Sequence, residues 1–147
     1  MLKLLITLLW LPLLSVSSCK NLNRIPIQEM NASVIELILQ DDYSGAVKEE
    51  VLLIKNQKSL QSFFAKINRT RKPGLPIPEI DFQKDMLLIF CEGETTMASL
   101  GLGLEKETAE AYVLSKISPK KKAKNSAVTS PFLVYKLPLS DKKVIVE

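Results

Sequence analysis

Apolar positions follow three different spacings along this chain. From Leu4 to Leu14 they are almost continuous. From Ser33 to Gln40 they alternate, with Ile35, Leu37 and Leu39 on one face and Val34, Glu36, Ile38 and Gln40 on the other. That period of two predicts a half-buried strand. Asp41-Asp42-Tyr43-Ser44-Gly45 reads as a turn, with glycine free to adopt positive φ. Val47 to Lys55 is a second extended segment. Leu60, Phe63, Phe64 and Ile67 then fall at i, i+3, i+4 and i+7, which predicts a helix over Gln57–Ile67 with one apolar stripe. Asn56 stands where an N-cap is needed, and Asn68 ends the pattern. The stripe can dock a partner or pack on a sheet, and packing is the expected use.

Beyond the helix the period changes again. Pro73, Gly74, Pro76 and Pro78 make Arg69–Pro78 a surface loop. Met86–Cys91 is continuously apolar, as in a strand buried on both faces. Gly93-Glu94-Thr95-Thr96 is a turn. Ala98–Leu104 alternates, with Leu100, Leu102 and Leu104 opposite Ser99, Gly101 and Gly103; the bare glycine face admits close approach by another element. Glu105–Thr108 is expected to turn the chain into a strand over Ala109–Ile117. The lysine-rich stretch Pro119–Asn125 is a charged hairpin tip. Phe132–Leu137 and Lys142–Val146 complete the strands, with Ser130-Pro131 opening the former and Pro138 closing it. The fold class is therefore α+β: a β-rich antiparallel domain of about seven strands, in one sheet or a small two-layered arrangement. One helix packs on an apolar face, and side chains from both halves of the chain meet in one core.

The first segment has a different purpose. Lys3 precedes the apolar run, and Val16-Ser17-Ser18 supplies small side chains before Cys19. This is signal-peptide anatomy, and the run is too short for a membrane-spanning helix, which needs about 20 residues. The small residues followed directly by cysteine resemble the lipobox of bacterial lipoproteins. That resemblance implies cleavage after Ser18 and lipid attachment at Cys19. The domain organisation is then signal peptide 1–18, tether 19–30 and a single domain 31–147. With about 0.8 kcal/mol per buried methylene, two or three acyl chains anchor a protein almost irreversibly. Lys20, in place of an acidic residue, points to the outer membrane.

Composition narrows the chemistry. Removing 18 of the 147 residues leaves 129, enough for one domain with a real core. The formal charge of +4 falls to +3 without Lys3, too little to imply a nucleic-acid partner. Lysines of the charged tip can each add about 1 kcal/mol at an anionic lipid surface, although a solvated tip is the simpler reading. The sequence has no histidine and two cysteines, Cys19 and Cys91. Histidine-dependent triads are excluded, and the usual ligand of catalytic zinc is missing. No metal or cofactor is expected. Cys91 ends an apolar strand and reads as a small core residue. A histidine-independent hydrolase would need Ser130 or Ser99 with a lysine base, and Glu92 or Glu94 as acid. Serine beside proline and glutamate beside glycine more often build turns. Asn31-Ala32-Ser33 and Asn68-Arg69-Thr70 match glycosylation sequons by chance in a bacterial chain.

The order of several local features resembles the C-terminal domain of the PrcB family, named for a lipoprotein subunit of a bacterial surface protease complex. These features are Tyr43-Ser44-Gly45 before an apolar strand and a helix with paired aromatics, then Ile80-Asp81-Phe82 before a strongly apolar strand ending near Gly93. Thr129-Ser130-Pro131-Phe132 then runs into Val134-Tyr135-Lys136-Leu137-Pro138. The specific part covers Ile80–Glu147. One departure stands out. Family members carry threonine, two glycines and an aromatic after the Gly93-like turn, whereas here Thr96 is followed by Met97-Ala98-Ser99. The resemblance implies a non-catalytic accessory lipoprotein that stabilises or matures a protease. The expected partners are the membrane, through the lipid, and a protein. Turn and proline composition places the expected contact at an exposed sheet edge or at the loops around Pro73–Pro78 and Thr95–Met97, with Leu75, Thr95, Thr96 and Met97 as the candidate residues. The alternative is an envelope lipoprotein that binds glycan or lipid.

Overall fold

The computed structural model describes residues 34–120 and 127–147. The expectations for the leader, Cys19, the tether and most of the lysine-rich tip lie outside the described residues. Among the described residues seven strands and one helix follow in the order β1 (Glu36–Asp41), β2 (Glu50–Ile54), α1 (Gln57–Asn68), β3 (Asp85–Cys91), β4 (Gly101–Glu107), β5 (Ala111–Ile117), β6 (Phe132–Pro138) and β7 (Lys143–Val146). The α+β, β-rich class with a single packed helix is the observed one. Strands β1-β6-β3-β2 form a fully antiparallel sheet; β4-β5-β7 form a second. One pair departs from the antiparallel expectation, because β7 lies parallel to β5. The intervening β6 belongs to the other sheet, so no hairpin joins β5 to β7 and the chain re-enters in the same direction.

The four-stranded sheet is the middle of three layers. On one face Leu87, Ile89 and Cys91 of β3, with Phe132 and Val134 of β6, pack under Leu60, Phe63, Phe64 and Ile67 of α1. On the other, Met86, Leu88 and Phe90, with Leu133, Tyr135 and Leu137, pack against Leu102, Tyr112 and Leu114 of the three-stranded sheet. The continuous apolarity of Met86–Cys91 thus has the expected cause: alternate residues feed opposite faces. The single expected core is replaced by two, because the central sheet separates them. The helix begins as its sequence requires, with the Asn56 side chain accepting from Ser59 N–H at 2.9 Å.

Local departures have local causes. Leu37 pairs with Tyr135 and Leu39 with Val134, leaving Ile38 as an extra residue. This bulge places Ile38 and Leu39 together against the helix-side core, while Leu37 is 42% exposed. The expected face of Ile35, Leu37 and Leu39 is therefore broken. Glu105–Glu107 continue β4 instead of turning. The turn falls at Thr108, whose Oγ1 accepts from Ala111 N–H at 2.9 Å, a local bond that competes with the ladder. Leu100 lies before β4 and is exposed. The glycine face does admit a neighbour: a Cβ on Gly101 would lie 3.0 Å from the Tyr135 hydroxyl.

Candidate functional site

Two regions gather polar side chains. The first caps the end of the central sheet where β1 and β3 stop and β6 begins. Ser130 is its hub. Its N–H donates to Asp42 O at 3.2 Å, its carbonyl accepts from Ser44 N–H at 2.6 Å, and its hydroxyl accepts from Gly45 N–H at 3.1 Å. Gly45 takes φ +72, as the turn reading requires. Thr95 and Thr129 exchange backbone bonds at 2.8 and 2.9 Å, tying the loop after β3 to the same hub. Arg71, in the segment that follows the helix, closes the region. Its guanidinium forms a fork with Asp41, with Nη1 to Oδ2 at 2.9 Å, and also donates to Tyr43 O. Burial works against the Asp41 carboxylate. The Arg71 hydrogen bond, the Tyr43 and Asp42 amides and the guanidinium charge outweigh it, so its pKa lies below the ordinary value.

Of the residues that histidine-free hydrolysis would need, Ser130, Ser99 and Glu92 fall in this region with structural partners. Ser99 donates its hydroxyl to Glu92 at 2.7 Å, and its N–H meets the same carboxylate at 2.9 Å, which closes the loop from Glu92 to Ser99. Among the described residues neither Ser130 nor Ser99 is hydrogen-bonded to a lysine. Glu94 is exposed. Cys91 is 2% exposed; burial pushes its thiol pKa up, and a hydrogen bond with Ser44 offsets part of that rise. Among the described residues no cluster of histidine, cysteine and carboxylate side chains could hold a metal ion.

The expected contact residues are scattered over different surroundings. Leu75 packs against the helix-side core, and its backbone is held at both ends by the Asn68 side chain, at 2.8 and 2.9 Å. Its neighbour Ile77 is the exposed apolar side chain of that loop, at 40%. Thr95 Oγ1 accepts from Met97 N–H at 3.0 Å, which shapes the turn from Thr95 to Met97. Met97 is half-buried and Thr96 is exposed. Gly93 keeps φ +75, and its Cα passes so close to Lys48 that a Cβ would sit 2.7 Å from the Lys48 carbonyl carbon.

The second region is a cleft of about 400 Å³ between α1 and β2. Leu52, Ile54 and Phe63 give it an apolar lining, to which Ser44 and Cys91 also contribute. Lys58 and Lys66 line it from the helix and Glu50 from the strand. The apolar run Val51–Ile54 within the extended segment Val47–Lys55 announces a strand, but not that this strand ends a sheet beside a helix. The one sequence signal for the cleft is charge: Val51 to Pro78 contains six lysine and arginine residues and no aspartate or glutamate. Comparison with protein-family models, with curated proteins and with solved structures returns no match.

Proposed function

We propose that this chain is a lipid-anchored accessory protein of a bacterial envelope, held at the outer membrane through Cys19, whose domain binds a protein partner and performs no chemistry of its own. The pattern Val16-Ser17-Ser18-Cys19 after a short apolar run carries the address. The lack of histidine and the structural engagement of Ser130, Ser99 and Glu92 support binding over catalysis. The PrcB-like order of motifs suggests the partner class, a surface protease that the domain stabilises or matures. Among the described residues no helix is long and apolar enough to cross a membrane.

The test is intact mass of the detergent-extracted protein beside a Cys19→Ala variant, followed by cross-linking on intact cells. A chain beginning at Cys19 with added acyl mass, absent from the variant, is the expected result. So is a cross-linked protein partner with protease activity that is less stable without this chain. A soluble chain with an unmodified Cys19 would remove the address. Recovery of glycan or lipid alone would transfer the reading to an envelope-binding lipoprotein.

A further inference from the structure

Strand β2 ends the four-stranded sheet, and the direction of its backbone groups follows from its neighbours. Glu92 N–H donates to Pro131 O and Leu139 N–H donates to Lys84 O, so even-numbered positions along β3 turn their polar groups toward β6. Odd-numbered positions therefore turn toward β2. Leu87, Ile89 and Cys91 lie opposite Ile54, Leu52 and Glu50. The amides and carbonyls of the alternate residues, Val51 and Leu53, face away from the sheet. Their side chains are 38% and 39% exposed. Such an edge is a template for another strand unless it is covered or charged.

The basic cleft runs along this edge. Lys58 and Lys66 are exposed, and neither has an ion-pair partner among the described residues. Glu50 also lines the cleft, so its mouth carries two positive charges against one negative. We propose that β2 takes up an extended, acidic segment of a protein partner as a fifth strand. One face of that segment carries apolar side chains beside Val51 and Leu53. The other carries carboxylates that reach across the cleft to Lys58 and Lys66. The spacing is compatible: eight residues of helix separate the lysines by about 12 Å, and two strand residues four apart stand about 13 Å from each other. Main-chain bonds supply affinity in this mode, and alternate side chains supply selectivity.

This inference deepens the proposed binding function and rests on it. The tether of this chain is not the complement, since Lys20 and Arg24 outnumber Glu29. An anionic lipid surface would satisfy the lysines and leave the outward amides and carbonyls of β2 unused.

The experiment uses the mature detergent-extracted protein with fluorescein-labelled peptides, (Val-Glu)4 and (Val-Lys)4, read by anisotropy at low salt. Hydrogen exchange maps the bound state. The acidic peptide is expected to bind at least about tenfold more tightly than the basic one, because complementary charge selects the partner. A Lys58→Glu, Lys66→Glu variant should reverse that preference, and Leu53→Pro, which removes an outward amide without touching the β3 ladder, should weaken binding by a similar factor. Amides of β2 should become protected. No saturable binding of (Val-Glu)4, indifference to charge reversal, or protection confined to β1, β4 or β7 would each overturn the inference. So would binding to phosphatidylglycerol vesicles that charge reversal abolishes while the peptides fail to bind. A protein partner cross-linked equally well by wild type and charge-reversed chain would sink this inference and leave the proposed function standing.

Discussion

Replacing Tyr135 with phenylalanine isolates one hydrogen bond between a side chain of the central sheet and the backbone of β4. Tyr135 is 3% exposed, and its hydroxyl accepts from Leu102 N–H at 2.5 Å. Leu102 is itself 5% exposed, so water does not readily replace the lost acceptor. Leaving one buried amide unpaired costs about 1–3 kcal/mol. The ring remains, so little packing is lost. For a domain of this size about 2 kcal/mol corresponds to roughly 5–12 °C in Tm. Urea unfolding followed by far-UV circular dichroism is the suitable assay, because the sole tryptophan, Trp10, precedes the first described residue, Val34. A second substitution sharpens the argument. A Cβ on Gly101 would sit 3.0 Å from the Tyr135 hydroxyl, a contact that vanishes when the oxygen is removed. Gly101→Ala should therefore cost less in the Tyr135→Phe background, with a coupling of at least about 0.5 kcal/mol. A single-variant loss below about 0.5 kcal/mol, within the range of an uninvolved site, would refute the reasoning. Strict additivity of the two substitutions would do the same.

Three further outcomes are expected. Gly93→Ala combines a positive φ with a Cβ placed 2.7 Å from the Lys48 backbone, and should destabilise by about 2–4 kcal/mol; unchanged urea unfolding would show that the loop relaxes freely. Because the folded-state pKa of Asp41 is depressed, its stabilising contribution is present above the unfolded aspartate value of about 3.9 and disappears as pH falls through the folded value. Stability of wild type and Asp41→Asn should therefore converge below about pH 4, and parallel pH profiles would contradict the assignment. Asn56→Ala removes the side-chain acceptor for Ser59 N–H and should cost about 1 kcal/mol, with thermal unfolding as the check.

How much of this was legible beforehand varies by element. The helix was fully written in Asn56, Leu60, Phe63, Phe64 and Ile67, because a cap and a 3.6-residue stripe are both local signals. Strand β3 was equally plain, since seven residues from Asp85 to Cys91 hold one polar side chain at their start. Strand β1 was placed but misfaced, because a bulge at Ile38 changes no residue type and alternation alone cannot show it. The end of β4 was missed: Glu105, Lys106 and Glu107 look like a turn, yet an edge strand tolerates charge where its outer face meets solvent. Ser130 was visible as a turn residue. Its bonds to Asp42, Ser44 and Gly45 span more than eighty positions and carry no sequence signature.

By itself, then, the chain determined its periods: which segments bury a stripe, which bury two faces, and where prolines and glycines interrupt them. Those properties depend on neighbours a few residues away. Only the tertiary structure decided that β6 would sit between β1 and β3, that β7 would run parallel to β5, and that two cores would flank one sheet. It also decided that β2 would be left at an edge beside a basic cleft. These are choices of strand partner, and they are set by which distant apolar faces pack best against one another. A strand's own sequence fixes what it buries, whereas the rest of the fold fixes what lies beside it.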